Sequence, residues 1–283
     1  MIISIASGKG GTGKTTVALL LAATRQNITL VDCDVEEPNC HLFLQPKWQD
    51  SGREISVMIP RFHQDLCNGC GACSAVCLFN AIAIAGKSAL LFDELCHSCG
   101  GCLLACQQGA ISEVEKPIGV VNTGVASTLS DVRLLNGTLN IGTPSAVPLI
   151  KIMKKEVAGL SGEALLDCPP GTSCSMVTAI KNSDYCLLVT EPNSFGRHDL
   201  ELAMNITSLL KISTGVVINK SDGDLGDESI QSLCDSRNVP VLAKIPHSIS
   251  FARQYASGII PDEFRSVAAD IWRQIDSERG GKG

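Results

Sequence analysis

Eight cysteines in two identical runs are the residues of this sequence best suited to hold a metal centre. Cysteine thiolates ligate iron–sulfur clusters, and sets of four cysteines also bind zinc. Two complete runs with the spacing C-x2-C-x2-C-x3-C favour iron–sulfur clusters and leave zinc as the alternative. The two runs are Cys67, Cys70, Cys73 and Cys77, followed by Cys96, Cys99, Cys102 and Cys106.

This spacing resembles that of the bacterial ferredoxins that carry two 4Fe–4S clusters. In those proteins three cysteines of a run bind one cluster, and the fourth cysteine binds the other. A proline usually follows the fourth cysteine, whereas Leu78 and Gln107 stand there in this sequence, and no ligand is lost. The resemblance implies one cluster on Cys67, Cys70, Cys73 and Cys106, and a second on Cys96, Cys99, Cys102 and Cys77.

A glycine-rich segment near the N-terminus has the pattern of a phosphate-binding loop. Residues 8–15 read GKGGTGKT and fit G-x4-G-K-[ST] between a strand-like run and a helical stretch. Glycines allow backbone N–H groups to face phosphate oxygens, and the helix that follows directs its positive end at the anion. The residues predicted to contact a nucleotide here are Gly8, Lys9, Gly10, Gly11, Thr12, Gly13, Lys14, Thr15 and Thr16.

Lys9 makes this loop resemble the deviant Walker A motif of the MinD/Mrp/nitrogenase iron protein family. Residues 32–34 (DCD) resemble switch I of that family, and residues 167–172 (DCPPGT) resemble its Walker B and switch II segments. The resemblance covers the chain outside the cysteine runs. It implies an ATPase that works as a dimer, in which Lys9 reaches the nucleotide of the partner subunit.

The same resemblance assigns roles to individual residues. It implies that Lys14 binds the β- and γ-phosphates and that Asp34 positions the attacking water, so that the catalytic residues are Lys9, Lys14 and Asp34. Asn219 resembles the asparagine that reads adenine, and a plain turn residue is the alternative. The implied Mg²⁺ site consists of Thr15, Asp34 and Asp167.

Apolar runs of strand length alternate with helical stretches along most of the chain. Because such runs are buried on both faces, they predict a parallel sheet covered by helices, with ligands at the carboxyl ends of the strands. The predicted fold class is an α/β P-loop NTPase with a mostly parallel sheet and an inserted small α+β ferredoxin-like domain. Predicted strands lie at 1–6, 28–31, 164–166, 186–189, 215–218 and 241–245, and predicted helices at 14–24, 147–157, 198–210 and 229–237.

The cysteine runs interrupt this alternation, and their surroundings define a predicted domain division. The edges of the cysteine segment lie near Pro60 and Pro117, and residues 81–92 between the runs predict a hairpin around Gly86. We therefore expect an ATPase domain from residues 1–59 and 118–283 and an inserted two-cluster domain from residues 60–117.

Composition restricts the class of protein. The net charge is −6 without a basic run, which argues against nucleic acid as a partner. No apolar stretch reaches the roughly 18 residues that span a membrane. Residues 262–278 lack the basic face of a lipid-binding helix, so they predict a helix packed on the sheet and no membrane anchor. Fourteen cysteines beside a phosphate-binding loop, without a signal peptide, indicate a reducing cytoplasm rather than a disulfide framework.

Together these features predict a cytoplasmic iron–sulfur ATPase that uses ATP, Mg²⁺ and two 4Fe–4S clusters. We expect nucleotide-driven dimer switching coupled to electron transfer or to iron–sulfur or metal-cofactor assembly on a partner. The dimer is formed with a second copy or with a homologous MinD-like ATPase. The alternative is a MinD-like positioning ATPase with redox-sensing clusters. Cys174 has the offset from Asp167 of a bridging-cluster ligand in the nitrogenase iron protein, and core packing is the other interpretation.

Overall fold

A ten-stranded sheet forms the centre of the molecule in this computed structural model, which describes residues 1–160, 162–260 and 262–280. A separate two-stranded hairpin pairs β5 (Ile82–Ala85) with β6 (Ser88–Leu91). The strands of the large sheet are β1 (Ile2–Ala6), β2 (Ile28–Asp32), β3 (Lys47–Trp48), β4 (Arg53–Phe62), β7 (Ile111–Val125), β8 (Val132–Leu139), β9 (Glu163–Asp167), β10 (Tyr185–Thr190), β11 (Ser213–Ser221) and β12 (Val241–Pro246).

The order of the strands explains why the polar motifs meet. The sheet runs β12-β11-β10-β1-β9-β2-β8-β7-β3, and β4 pairs with β7. Every neighbouring pair from β12 to β8 is parallel, whereas β7 is antiparallel to β8, β3 and β4. The carboxyl ends of β1, β9 and β2 therefore lie side by side at one edge of the sheet.

Helices cover both faces of the parallel part of the sheet. One buried apolar layer contains residues of α5 to α8, and the opposite layer contains residues of α1, α2 and α10. No helix in the described part of the chain is long and apolar enough to cross a bilayer. The helices are α1 (Lys14–Ala22), α2 (Cys40–Leu44), α3 (Ala72–Ala75), α4 (Gly101–Ala105), α5 (Val147–Ala158), α6 (Cys174–Ile180), α7 (Ser194–Leu209), α8 (Leu225–Ser236), α9 (Ile249–Ala256) and α10 (Arg265–Gly280).

The predicted parallel sheet and its covering helices are confirmed, with element ends displaced by a few residues. The predicted tail helix is also confirmed, since Trp272 of α10 donates its Nε1–H to the carbonyl of Leu21 at 3.1 Å and stacks under the guanidinium of Arg25 at 4.3 Å. Four strands were not predicted, because charged, proline or glycine residues weaken their apolar pattern. These are β3, β4, β7 and β8.

The strands β4 and β7 form a ribbon that carries a cysteine lobe, defined here as residues 63–110. Pairing runs from Arg53 opposite Val121 to Phe62 opposite Ile111. Pro60 and Pro117, where the sequence places the edges of the cysteine segment, both lie inside this ribbon. The predicted hairpin around Gly86 is confirmed as β5 and β6. The lobe has a small apolar core of its own, to which Cys73, Ile82, Ala89 and Ile111 contribute.

The cysteine lobe repeats its own backbone. Residues with positive φ occur in pairs 29 positions apart: Gly69 (71°) with Ser98 (54°), and Gly71 (80°) with Gly100 (72°). A side chain at Gly69 would place its Cβ 2.3 Å from the carbonyl oxygen of Gly86, so this turn requires glycine. The two cysteine runs thus share the same backbone turns.

Candidate functional site

A cavity of about 460 Å³ opens at the carboxyl ends of the parallel strands. The glycine-rich loop between β1 and α1 lines one side, and the segment from β12 into α9 lines the other. Asp34 and Asn219 lie on its wall together with the loop. The cavity residues contributed by the loop and the start of α1 are Gly10, Gly11, Gly13, Lys14, Thr15 and Thr16.

Close packing determines the conformation of this loop. Gly11 and Gly13 have φ of 77° and 94°, which residues other than glycine rarely adopt. A Cβ at Gly8 would lie 2.2 Å from the carbonyl oxygen of Asp199, because α7 approaches the loop directly. The Ser7 hydroxyl donates to the carbonyl of Lys9 at 2.6 Å. The loop conformation therefore depends on glycine at positions 8, 11 and 13.

A bulge in β11 supports the loop from the other side. The register shifts between Asn219 and Ser221, and Lys220 between them has φ of 58°. The Asn219 amide donates to the carbonyl of Thr12 at 2.7 Å, and Lys220 Nζ donates to the carbonyl of Gly11 at 3.0 Å. The irregular backbone aims two neighbouring side chains at the same loop.

Glu191, at the end of β10, joins two lysines beside the loop. Its Oε2 lies 2.9 Å from Lys9 Nζ, and its Oε1 accepts from Lys220 Nζ at 2.5 Å. Burial opposes a charge on Glu191, but the two lysines outweigh it and hold its pKa below the usual range. The sequence analysis assigned no role to Glu191 or Lys220, although Glu191 directly follows β10 and Lys220 lies near the end of β11.

Three carboxylates lie below the loop. The Thr15 hydroxyl donates to Asp167 Oδ2 at 2.5 Å, while Asp167 Oδ1 is buried without a partner. Burial raises the pKa of Asp167. Burial, together with the charge of Asp167, raises the pKa of Asp34 to about 6 and that of Asp32 to about 7. Asp32 was not among the predicted site residues.

These carboxylates fit a divalent cation. Oxygen ligands suit Mg²⁺, and the unpartnered Oδ1 of buried Asp167 is the atom that a cation would satisfy. The structure brings Thr15 and Asp167 into contact and places Asp34 on the wall of the same cavity. Asp32 accepts backbone N–H groups from Asn39 and Cys40 at 2.9 Å each, so it fixes the start of α2 beside the end of β2.

The eight cysteines of the two runs line two separate small cavities in the cysteine lobe. Each cavity has three cysteines from one run and the fourth from the other, and all eight thiols are free. The Ala81 N–H donates to Cys77 Sγ at 3.3 Å. We call the two sets the first cysteine site (Cys67, Cys70, Cys73 and Cys106) and the second cysteine site (Cys77, Cys96, Cys99 and Cys102).

An aromatic stack covers the second cysteine site. The rings of Phe79 and His97 are parallel within 10° with centroids 3.6 Å apart, and both residues line that cavity. Cys174 is exposed at the start of α6 and lines neither cysteine cavity. Cys33, Cys40, Cys186 and Cys234 are buried.

A loop between the first strand and the first helix, with a buried lysine and paired carboxylates beneath it, defines a P-loop nucleotide-binding protein. The CobQ/CobB/MinD/ParA nucleotide binding domain matches residues 3–261, and the chain belongs to this family.

The chain also resembles two sequenced proteins and one solved structure over most of its length. An uncharacterized protein of Methanocaldococcus jannaschii, MJ0578, is 31% identical over 255 residues, which are 89% of this chain and 84% of the relative. A second protein of that organism, MJ0579, is 28% identical over 226 residues, 78% of this chain and 80% of the relative. The structure of septum site-determining protein MinD with Mg-ADP from Pyrococcus horikoshii has a TM-score of 0.58 at 21% identity, with 100% of this chain and 98% of that chain covered, which shows the shared fold.

Proposed function

We propose that this protein is an Mg²⁺-dependent ATPase whose nucleotide cycle controls two 4Fe–4S clusters and serves electron transfer or iron–sulfur or metal-cofactor assembly on a partner. The observation that carries the proposal is the exchange of cysteines between the runs. Cys106 lines the cavity of the first run, and Cys77 lines that of the second. Two separate zinc sites formed within single runs would not need this exchange.

Nucleotide chemistry rests on the residues around the loop. Thr15 and Asp167 would hold Mg²⁺, which would satisfy the buried Asp167 Oδ1 that lacks a partner. Lys14 is buried beside the loop and would bind the terminal phosphates, while Asp34 would hold the attacking water. Phosphoryl transfer depends on positioning and charge stabilisation, which Lys9 of a second subunit would complete. In the P. horikoshii MinD structure, Mg-ADP is the bound species.

A homologous chain is an alternative dimer partner to a second copy of this protein. One archaeon contains two proteins that each resemble this chain over most of its length. Two related chains in one cell would allow a mixed dimer in which each chain supplies its own loop lysine to the other site.

The test is anaerobic purification followed by iron and sulfide analysis. We expect about eight irons and eight acid-labile sulfides per chain, because two four-iron clusters need eight cysteine ligands. Cys77→Ser should damage the cluster held by the second run, and Cys106→Ser the cluster held by the first run. Cys234→Ser, a buried cysteine outside both sites, is the matched control. Stoichiometric zinc without visible charge-transfer absorption would refute the proposal.

A second candidate function is a positioning switch with redox-sensing clusters, favoured by the fold shared with the septum site-determining protein MinD. Electron flow separates the two candidates. Onward transfer of electrons only during ATP turnover supports the first. A nucleotide effect on self-association alone supports the second.

A further inference from the structure

The second cysteine site borders the nucleotide-binding body, and the first does not. A narrow cavity beside the second site is lined by Cys96, His97 and Ser98 on one side and by residues 143–145 and Pro148 on the other. Residues 143–148 lead into and begin α5. The cavity of the first cysteine site has no lining residue from this region. The two sites therefore differ in their contact with the rest of the chain, although their local backbones repeat.

Direct bonds tie both sides of this contact to β7. Lys116 of β7 forms an ion pair with Asp93 at 2.9 Å and also donates to its carbonyl at 3.0 Å, three residues before Cys96. On the α5 side, the Asn140 N–H donates to the carbonyl of Ile118 at 2.8 Å, and the Thr143 hydroxyl donates to the same oxygen at 3.4 Å. The loop of the second site and the start of α5 thus share one strand as their support.

Helix α5 rests directly on the backbone of the sheet. A Cβ built on Gly119 of β7 would lie 2.9 Å from Leu149 Cδ2, and one on Gly137 of β8 would lie 2.4 Å from Met153 Sδ. The Cβ built on Gly137 would also lie 2.7 Å from Cγ1 of Val35, the residue after Asp34. Close-packed interiors transmit displacement rather than absorb it, so α5 moves with the strand ends beneath it.

Lys154 connects α5 to the carboxyl end of α6. Its Nζ donates to the carbonyls of Thr178 at 3.1 Å and Ala179 at 2.5 Å, and also to the carbonyl of Lys181. These are the last carbonyls of α6, which begins just after the Walker B and switch II segment, and a lysine there satisfies groups that the helix leaves unpaired. Burial lowers the pKa of Lys154, while Cys168 and Cys33, which follow Asp167 and Asp32, oppose the shift.

We propose that Lys154 is a positioning residue that couples nucleotide state, through α5, to the second cysteine site and not to the first. The inference rests on the proposed function and makes it specific. A γ-phosphate and its cation act on Asp34 and Asp167, and the displacement passes to α6 through the residues that follow Asp167. Lys154 holds the end of α6, so α5 shifts against the loop of residues 96–98. By linkage, the factor by which nucleotide changes the reduction equilibrium of that cluster is also the factor by which reduction of the cluster changes nucleotide affinity.

The experiment compares Lys154→Met with Lys151→Met, an exposed lysine on the same helix, and with Lys154→Arg, which keeps donors at the position. Midpoint potentials are measured with ADP and with a non-hydrolysable ATP analogue, and Cys77→Ser identifies the signal of the second site. Hydrogen exchange of residues 96–98 and 143–148 is followed under the same conditions.

In the wild-type chain and Lys151→Met, we expect the ATP analogue to shift only the second-site potential. The corresponding change in nucleotide affinity between oxidised and reduced protein should be roughly 5-fold or more. Lys154→Met should bring that factor close to one while nucleotide affinity of the oxidised protein stays within about threefold, and Lys154→Arg should restore most of the shift.

Equal shifts of both clusters, a shift of the first alone, or full coupling in Lys154→Met would overturn the inference while leaving the clusters in place. If the protein carries no iron, the proposed function fails. The hydrogen-exchange measurement then decides whether nucleotide state reaches residues 96–98 through α5. A nucleotide-dependent change at residues 96–98 that disappears only in Lys154→Met supports this route, and no such change refutes it.

Discussion

Lys9 Nζ and Glu191 Oε2 lie 2.9 Å apart, so the lysine proposed to act on a partner's nucleotide is held within its own chain. One side chain cannot occupy both places, so the proposed action of Lys9 across a dimer requires this ion pair to break. Lys220 also binds Glu191, which keeps that carboxylate paired after Lys9 leaves. The ion pair opposes association of two chains. The free energy needed to break it is small, because the Lys9 side chain remains 29% exposed.

Glu191→Gln should strengthen ATP-dependent dimerisation. Ion pairs near the surface contribute about 0.2–1 kcal/mol each, and a dimer of two copies breaks one in each subunit, so their removal should lower the dimer dissociation constant by up to about 30-fold. Sedimentation velocity with a non-hydrolysable ATP analogue measures the constant. Glu201→Gln, which breaks the pair of Glu201 with Arg237 on α7, is the matched control. Weaker association of Glu191→Gln would instead place Glu191 in the interface.

The two loop lysines should fail in different ways. Lys14→Ala should abolish productive nucleotide binding, since Lys14 is buried beside the phosphate site. Lys9→Ala should retain binding and lose most hydrolysis, because loss of a transition-state charge supplied in trans costs roughly 10³-fold or more. Turnover of a mixture of the two variants is the measurement. Partial rescue supports action across the dimer, and additive loss in every mixture contradicts it.

Much of the fold could be predicted because its strands are simple. Uninterrupted apolar runs such as β1, β2 and β10 can only be buried on both faces, and the motifs at their ends must then meet. The ribbon of β4 and β7 was missed for the opposite reason. Buried and exposed residues are mixed along both strands, each strand contains a proline, and only the tertiary pairing of the two strands across the cysteine lobe stabilises the ribbon.

The partners of the site residues could not be predicted. The contact between Lys9 and Glu191 and the contacts of Lys154 with α6 join elements far apart in sequence, and no local pattern marks them. Asp32 could have been found, because it ends β2 beside Asp167 and precedes Asp34 by two residues. The sequence places both Asp32 and Asp34 in switch I and gives no reason to assign them different roles. The structure separates them, because Asp32 is fully buried whereas Asp34 lines the cavity.

Asn219→Ala tests whether this residue supports the loop or reads the base. The Asn219 amide donates to Thr12 in the structure, and loss of one hydrogen bond costs about 0.5–1.5 kcal/mol. We therefore expect ATP and GTP affinities, measured by calorimetry, to fall by a similar factor of about 2 to 10. A loss confined to ATP would assign the base-reading role instead. Asn205→Ala, on α7 and paired with Arg237, is the control.

Asp32 should make the stability of the free protein fall as pH rises. Burial and the charge of Asp167 raise its pKa to about 7, against about 4 in the unfolded chain. The folded state therefore holds a proton that the unfolded state releases, so the stabilisation is complete below about pH 4 and lost as pH rises through 7. Urea unfolding between pH 5 and 8, without Mg²⁺ or nucleotide, should show this decline, with a slope of at most about 1.4 kcal/mol per pH unit from this group.

Asp32→Asn should flatten the profile, whereas Asp222→Asn, an exposed residue whose side-chain oxygen can still accept the N–H of Asp224, should not. Saturating Mg-ADP should also flatten it, because a cation beside Asp167 removes the repulsion that keeps Asp32 protonated. A profile that is unchanged in Asp32→Asn would show that Asp32 is ionised in the folded protein at pH 5.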